Sequence, residues 1–163
     1  MNNTAVEKIL TDCADELAKI EAIQVGDPKK FIDVVEYLNK YALIKACGTI
    51  EFAFKKIILD VLAPRSPQIE TWLESTFRKQ GLGPRIDIII RNLGKFDGEW
   101  QHTFKKAFKH MPDKARIENS LNSLVNNRNM FAHGGTVTIT LQNVQEYFNH
   151  ASEALKLLDR IVI

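Results

Sequence analysis

Arg128, Asn129 and His133 are the residues of this sequence whose types and spacing could do chemistry. Ile117, Leu121, Leu124 and Phe131 recur at helical steps, as one buried helix face requires. Arg128 occupies the missing position of that stripe. A guanidinium set among apolar side chains needs a carboxylate, phosphate or carbonyl partner. His133 follows at the expected helix end, and imidazole moves protons near neutral pH. Together these groups suit proton transfer beside a bound anion. At about 100° per residue, Arg128 and His133 lie about 140° apart on an ideal helix and do not share a face. They converge only if the last turn loosens at Gly134-Gly135, or if a second chain supplies the opposing groups. The same spacing also fits an arginine bridged to an acid inside a bundle, with His133 as an ordinary helix-end residue.

The elements that must position these residues read as helices. Thr4-Ala5-Val6-Glu7 has capping-box spacing, and Val6, Ile9, Leu10, Cys13, Leu17 and Ile20 continue at helical intervals. Gly26-Asp27-Pro28 breaks that helix. A second pattern runs from about Lys29 to Leu62, with Cys47-Gly48 as the place for a bend or a close helix contact. Ala63-Pro64-Arg65-Ser66-Pro67 ends it. A short helix is expected around Gln68 to Lys79, and Pro84 suits the first turn of another over Arg85–Leu93. Gly94 and Asp97-Gly98 punctuate the chain before a helix from Trp100 to His110. Pro112 starts the helix that carries Arg128 and stops at His133 and Gly134-Gly135, a glycine C-terminal signal. Thr136 to Thr140 alternates like a strand but has no partner, so it reads as an extended connection. Thr140 caps the last helix, whose apolar positions Val144, Tyr147, Phe148, Ala151, Leu155, Leu158 and Val162 share one face. The expectation is a single all-α domain over residues 1–163, an up-and-down helical bundle with extra short helices.

Composition narrows the function classes. The hydrophobic fraction of 45% and charged fraction of 26% are those of an ordinary globular protein. No apolar run approaches the roughly 18 residues of a membrane span. The N-terminal residues lack the pattern of a signal peptide, and Cys13 and Cys47 fall inside helical patterns as small hydrophobes. A reducing, cytoplasmic setting is expected. The net charge is +2, but residues 65–128 hold 12 basic and 7 acidic residues, hence +5. That excess suits an anionic partner such as RNA, and equally a solvated lysine face.

The segment Ser123-Leu124-Val125-Asn126-Asn127-Arg128-Asn129-Met130-Phe131-Ala132-His133-Gly134 resembles the signature of the HEPN superfamily: Arg, four to six residues, then His, late in an α-helical bundle. In that family a polar residue often follows the Arg directly; here it is Asn129. The run Leu43-Ile44-Lys45-Ala46-Cys47-Gly48-Thr49-Ile50-Glu51-Phe52 is similar to the family's early helix, with Glu51 as its acidic residue. The resemblance implies a metal-independent endoribonuclease without a cofactor, commonly a toxin or anti-phage effector. Members dimerise so that two Arg–His motifs line one cleft, which makes the site composite. RNA cleavage by its own 2′-hydroxyl needs a proton acceptor, a proton donor and stabilisation of charge on phosphorus. His133 would transfer protons and Arg128 would grip the phosphate through its fork. Asn129 would bond the phosphate or orient His133. Glu51 would hold Arg128, or alternatively pair with Lys55 one helical turn on. HEPN toxins with a nucleotidyltransferase antitoxin often carry Tyr two residues after the His; Gly135 stands there, so silencing through that Tyr is not expected. The other reading is a non-catalytic HEPN-like dimer that binds nucleotide, RNA or a partner protein, with Arg128 neutralised by Glu51, His133 turned away and the groove closed.

Phe96, Trp100, Phe104 and Phe108 repeat every four residues, with lysines interleaved. The stripe reads as core by its spacing, or as a stacking platform for single-stranded RNA. Lys105, Lys106 and Lys109 are candidate phosphate contacts in either case. His102 and His110 could share a face, but no third ligand accompanies them and no metal site is expected. The expected partners are RNA, a second copy of the chain and an antitoxin protein, with no membrane.

Overall fold

The computed structural model describes residues 1–26 and 34–162. Its α-helices are α1 (Thr4–Gly26), α2 (Val35–Leu62), α3 (Pro67–Trp72), α4 (Ile86–Phe96), α5 (Gly98–Lys109), α6 (Lys114–Ala132) and α7 (Leu141–Ile161). No strand occurs among the described residues, and the architecture is an all-α up-and-down bundle. The helices that carry apolar residues at three- and four-residue steps close on one another because each buries that stripe. On α7, Val144, Phe148, Ala151, Leu155 and Leu158 are buried, while Tyr147 stays half-buried at the margin. On α2, Leu43, Ile50, Phe54 and Ile57 face inward. Helix α7 packs against α2 and α6, α1 lies on α2 and α7, and the α4–α5 pair joins the bundle through α5 against α7. Phe54, Phe104 and Phe148 are each fully buried, which contributes on the order of 2–3 kcal/mol apiece relative to exposure.

Capping decides where the helices begin. Asn3, not Thr4, caps α1: its side-chain oxygen accepts the Val6 N–H at 3.0 Å, and Thr4 already lies in the helix. Asn3 is fixed there because its own N–H donates to buried Asp159 at 3.0 Å and its amide donates to Asp60 at 2.9 Å. These bonds tie the start of α1 to the ends of α2 and α7. Asp97 caps α5 through the N–H groups of Glu99 and Trp100, and Thr140 caps α7 through that of Asn143, as its position requires. The expected break at Asp27-Pro28 and helix start near Lys29 lie outside the described residues.

Three punctuation signals behave differently from their sequence reading. Helix α2 runs unbroken through Gly48, and a Cβ there would meet nothing within 4 Å, so Gly48 marks no close helix contact. Gly94 lies inside α4; a Cβ would meet the Gln101 amide at 2.5 Å. Its absence lets that amide donate to the Ile90 carbonyl at 3.1 Å and join α4 to α5. The helix expected around Gln68 to Lys79 leaves α-geometry after Trp72 and continues as a π-helical turn over Leu73–Phe77. Residues 136–140 take no regular secondary structure, with Val137 and Ile139 buried between exposed threonines.

Candidate functional site

Helix α6 delivers Arg128 one turn before its end, opposite the middle of α2. Ile117, Leu121 and Leu124 bury the stripe below it. The stripe does not continue through Phe131, which is 37% exposed. The bundle ends there, so Arg128 sits at the rim of the core with its side chain 29% exposed.

Its partner is Glu51. Nη2 of Arg128 lies 3.4 Å from Oε2 of Glu51. The other carboxylate oxygen, Oε1, accepts from Lys55 Nζ at 2.7 Å and from the Leu82 N–H at 3.0 Å. Glu51 thus meets Arg128 and Lys55 together, and Lys55 is the tighter partner. Burial pushes the Glu51 carboxyl up, but the Lys55 ammonium and the backbone N–H groups of Leu82 and Gly83 outweigh it and hold the group below the usual carboxylate range. Buried Lys55 also donates to the carbonyls of Arg78, at 3.1 Å, and Gln80. All three ammonium hydrogens are thus used, and the loop that follows the π-helical turn is pinned against α2. The cluster of one carboxylate and two cations keeps a net charge of +1. Cys47, one turn earlier on α2, completes the surroundings of Arg128. Burial raises its thiol, and the guanidinium against it draws it part of the way back.

Beside this cluster opens a cleft of about 260 Å³, walled by Gly81 to Gly83, Arg85, Ile88, Val125, Arg128 and Asn129. Arg85, which the sequence reading did not single out, brings a second guanidinium to it and bonds Asn126 on α6. Its Nε is buried and has no hydrogen-bond partner. Nothing in the Gly-Leu-Gly-Pro-Arg run announces that role; the loop's docking on Lys55 and Glu51 creates it.

His133 is exposed and is the C-cap of α6. Its N–H donates to the Asn129 carbonyl at 3.0 Å. Gly134, at φ 78°, and Gly135 then close the helix with N–H bonds to the carbonyls of Phe131 and Met130 at 3.0 and 2.8 Å, the pattern of a Schellman motif. A side chain at 135 would press on Met130, whose Cγ would lie 2.6 Å from the new Cβ. The last turn is therefore closed rather than loosened. His133 is not among the residues that wall the Arg128 cleft, whereas Asn129 is. Neither Arg128 nor His133 is sealed from solvent.

The other candidates lie elsewhere. Trp100, Phe104 and Phe108 are core residues, and half-buried Phe96 packs edge-on against Phe77 with ring centroids 4.9 Å apart. Trp100, Phe104 and Phe108 thus serve packing. Lys105, Lys106 and Lys109 are exposed on α5, which supplies no wall of the cleft. His102 and His110 are exposed, and His110 Nδ1 lies 2.8 Å from the Lys106 carbonyl. No group of three or more metal-ligating side chains occurs among the described residues. Among those residues, no helix is long and apolar enough to cross a membrane.

A family model described as RiboL-PSP-HEPN matches residues 8–163 of the chain. Comparison with curated proteins and with solved structures gives no match.

Proposed function

The chain belongs to the RiboL-PSP-HEPN family, a HEPN family, and from that membership we propose that it is a metal-independent endoribonuclease with a site shared between two copies. The observation that carries this reading is the cationic rim of the cleft. Arg128 and Arg85 both face it, and Glu51 divides its single charge between Arg128 and Lys55, so the cleft keeps positive charge for a phosphate. In the reaction, Arg128 holds the scissile phosphate, assisted by Asn129. An imidazole of His133 takes the proton from the 2′-hydroxyl as its oxygen attacks phosphorus. The bond to the 5′-oxygen breaks, and that oxygen leaves with a proton returned by imidazole. The products are a 2′,3′-cyclic phosphate and a 5′-hydroxyl. Glu51 is a positioning residue for Arg128.

The closed last turn of α6 leaves convergence of the two groups to a second copy. Exposed Tyr37, Tyr41 and Ile44 on α2, with Met130 and Phe131 on α6, support a homodimer seated around the end of α6. A toxin or anti-phage role in the cytoplasm, countered by an antitoxin protein, follows the same family expectation. The Arg128–Glu51 ion pair favours the second reading, a non-catalytic dimer that retains RNA, nucleotide or a partner protein.

Incubating the purified protein with structured RNA separates the two. We expect fragments ending in 2′,3′-cyclic phosphate, unaffected by EDTA and abolished by His133→Ala and by Arg128→Ala with the fold intact. Mixing those two inactive variants should restore cleavage through mixed dimers. Full activity of His133→Ala, or dependence on Mg²⁺, refutes the ribonuclease; tight RNA retention without fragments establishes the second reading. Toxicity on expression, relieved by His133→Ala, tests the biological role.

A further inference from the structure

A second cavity, of about 230 Å³, opens where the π-helical turn meets α4. Trp72 and Phe96 supply aromatic surface to it, Gln80 and Asn92 supply amides, and Lys95 supplies a cation. Trp72 is 54% exposed, an uncommon state for the largest apolar side chain in a chain that buries its other tryptophan, Trp100, to 7%. Phe77 backs the cavity, and Phe96 is held edge-on to it at 78°. Asn92 is 3% exposed; its amide donates to the Ile88 carbonyl at 2.8 Å, and its oxygen accepts from Lys95 Nζ at 3.1 Å. An amide has two donor hydrogens and two acceptor lone pairs, so one of each remains for a ligand.

The cavity and the Arg128 cleft draw walls from neighbouring positions on the same two elements. Ile88 walls the cleft and Asn92 walls the cavity, one turn further along α4, which is a rise of about 6 Å. Gln80 lines the cavity and the next residue, Gly81, lines the cleft. Its volume falls below the roughly 300 Å³ at which pockets for whole drug-sized ligands begin, which suits a single flat ring system. Aromatic faces, amide edges and a cation beside a cationic cleft are the chemistry that takes up an unstacked nucleobase of single-stranded RNA.

We propose that the Trp72–Asn92–Phe96 cavity is a base subsite that receives a nucleobase of the strand whose phosphate lies on Arg128. The inference rests on the ribonuclease or RNA-binding reading of the neighbouring cleft and names a determinant of its substrate choice. Trp72 and Phe96 stack on the base, the Asn92 and Gln80 amides meet its edge, and Lys95 neutralises the adjoining backbone.

The test uses the full chain carrying His133→Ala, so that binding is read without cleavage. A short single-stranded RNA of mixed sequence is compared with the same sugar–phosphate chain lacking its bases, by fluorescence anisotropy. RNA should bind more tightly than the abasic chain. Trp72→Ala should remove about tenfold or more of RNA affinity, leave abasic affinity unchanged and so collapse the ratio of the two. Trp72→Phe, which keeps an aromatic face, should restore most of the ratio. In the parent protein, RNA but not the abasic chain should quench the exposed Trp72 emission. An unchanged ratio in Trp72→Ala, or equal binding of both chains by the parent, overturns the base subsite. Neither result bears on catalysis, whereas absence of cleavage products from the chain with His133 in place, with the ratio intact, removes the ribonuclease and leaves the subsite standing.

Discussion

Replacing Glu51 by Gln is the sharpest probe of how the site is held. The carboxylate is shared between Lys55 at 2.7 Å, the Leu82 N–H at 3.0 Å and Arg128 at 3.4 Å. Glutamine keeps the shape and one acceptor oxygen but removes the charge. Lys55, 6% exposed, is then left without a counter-charge. Breaking a buried ion pair by removing one partner costs about 3–5 kcal/mol. Lys55 keeps its two backbone carbonyl acceptors, which lowers the expected loss to about 2–4 kcal/mol at pH 7. For a chain of this length that is a drop of about 5–15 °C in Tm. The pH dependence gives the sign. Glu51 is held below its ordinary carboxylate range in the fold, so its contribution is complete above the unfolded value of about 4.3. It fades as the pH falls through the lower folded value. The stability gap between the parent and Glu51→Gln, measured by denaturant unfolding followed by circular dichroism, should therefore narrow below about pH 4.3. Adding Lys55→Met to Glu51→Gln removes the stranded cation and should recover much of the loss. A gap under about 0.5 kcal/mol at pH 7, a gap that widens on acidification, or additive losses in the double variant would refute the reasoning.

Two further predictions concern the elements around the site. Gly134 sits at φ 78°, so Gly134→Ala should cost about 1–2 kcal/mol in denaturant unfolding, and should reduce RNA cleavage by disturbing the cap that carries His133. Asp159, 3% exposed, accepts the N–H groups of Asn2 and Asn3; Asp159→Ala should cost about 1–3 kcal/mol and speed amide exchange in the first turn of α1 while leaving α6 protected.

The helices were readable because their signals are local. The threonine at 140 bonds a backbone N–H three residues on, and the glycines at 134 and 135 adopt what a helix end needs, whatever packs nearby. The boundaries that moved did so through distant groups: Asp159 fixes Asn3 as the cap of α1, and Gln101 turns Gly94 from a helix breaker into a contact surface. The aromatic spacing over 96–108 announced a buried face, but not that Phe96 would leave it to meet Phe77 and border a cavity.

For the site, the sequence alone determined that an arginine interrupts an apolar stripe and that a histidine follows at a glycine-terminated helix end. Both follow from the helical period and from glycine's freedom at positive φ. Only the tertiary structure decided which charges meet. Arg128 and Glu51 stand 77 residues apart, and their pairing depends on how α6 crosses α2. The same crossing seats the 78–83 loop on Lys55 and brings Arg85 to the cleft. Backbone periodicity reports the face on which a residue lies, whereas charge pairing reports the distance between faces, and that distance is set when separate helices pack.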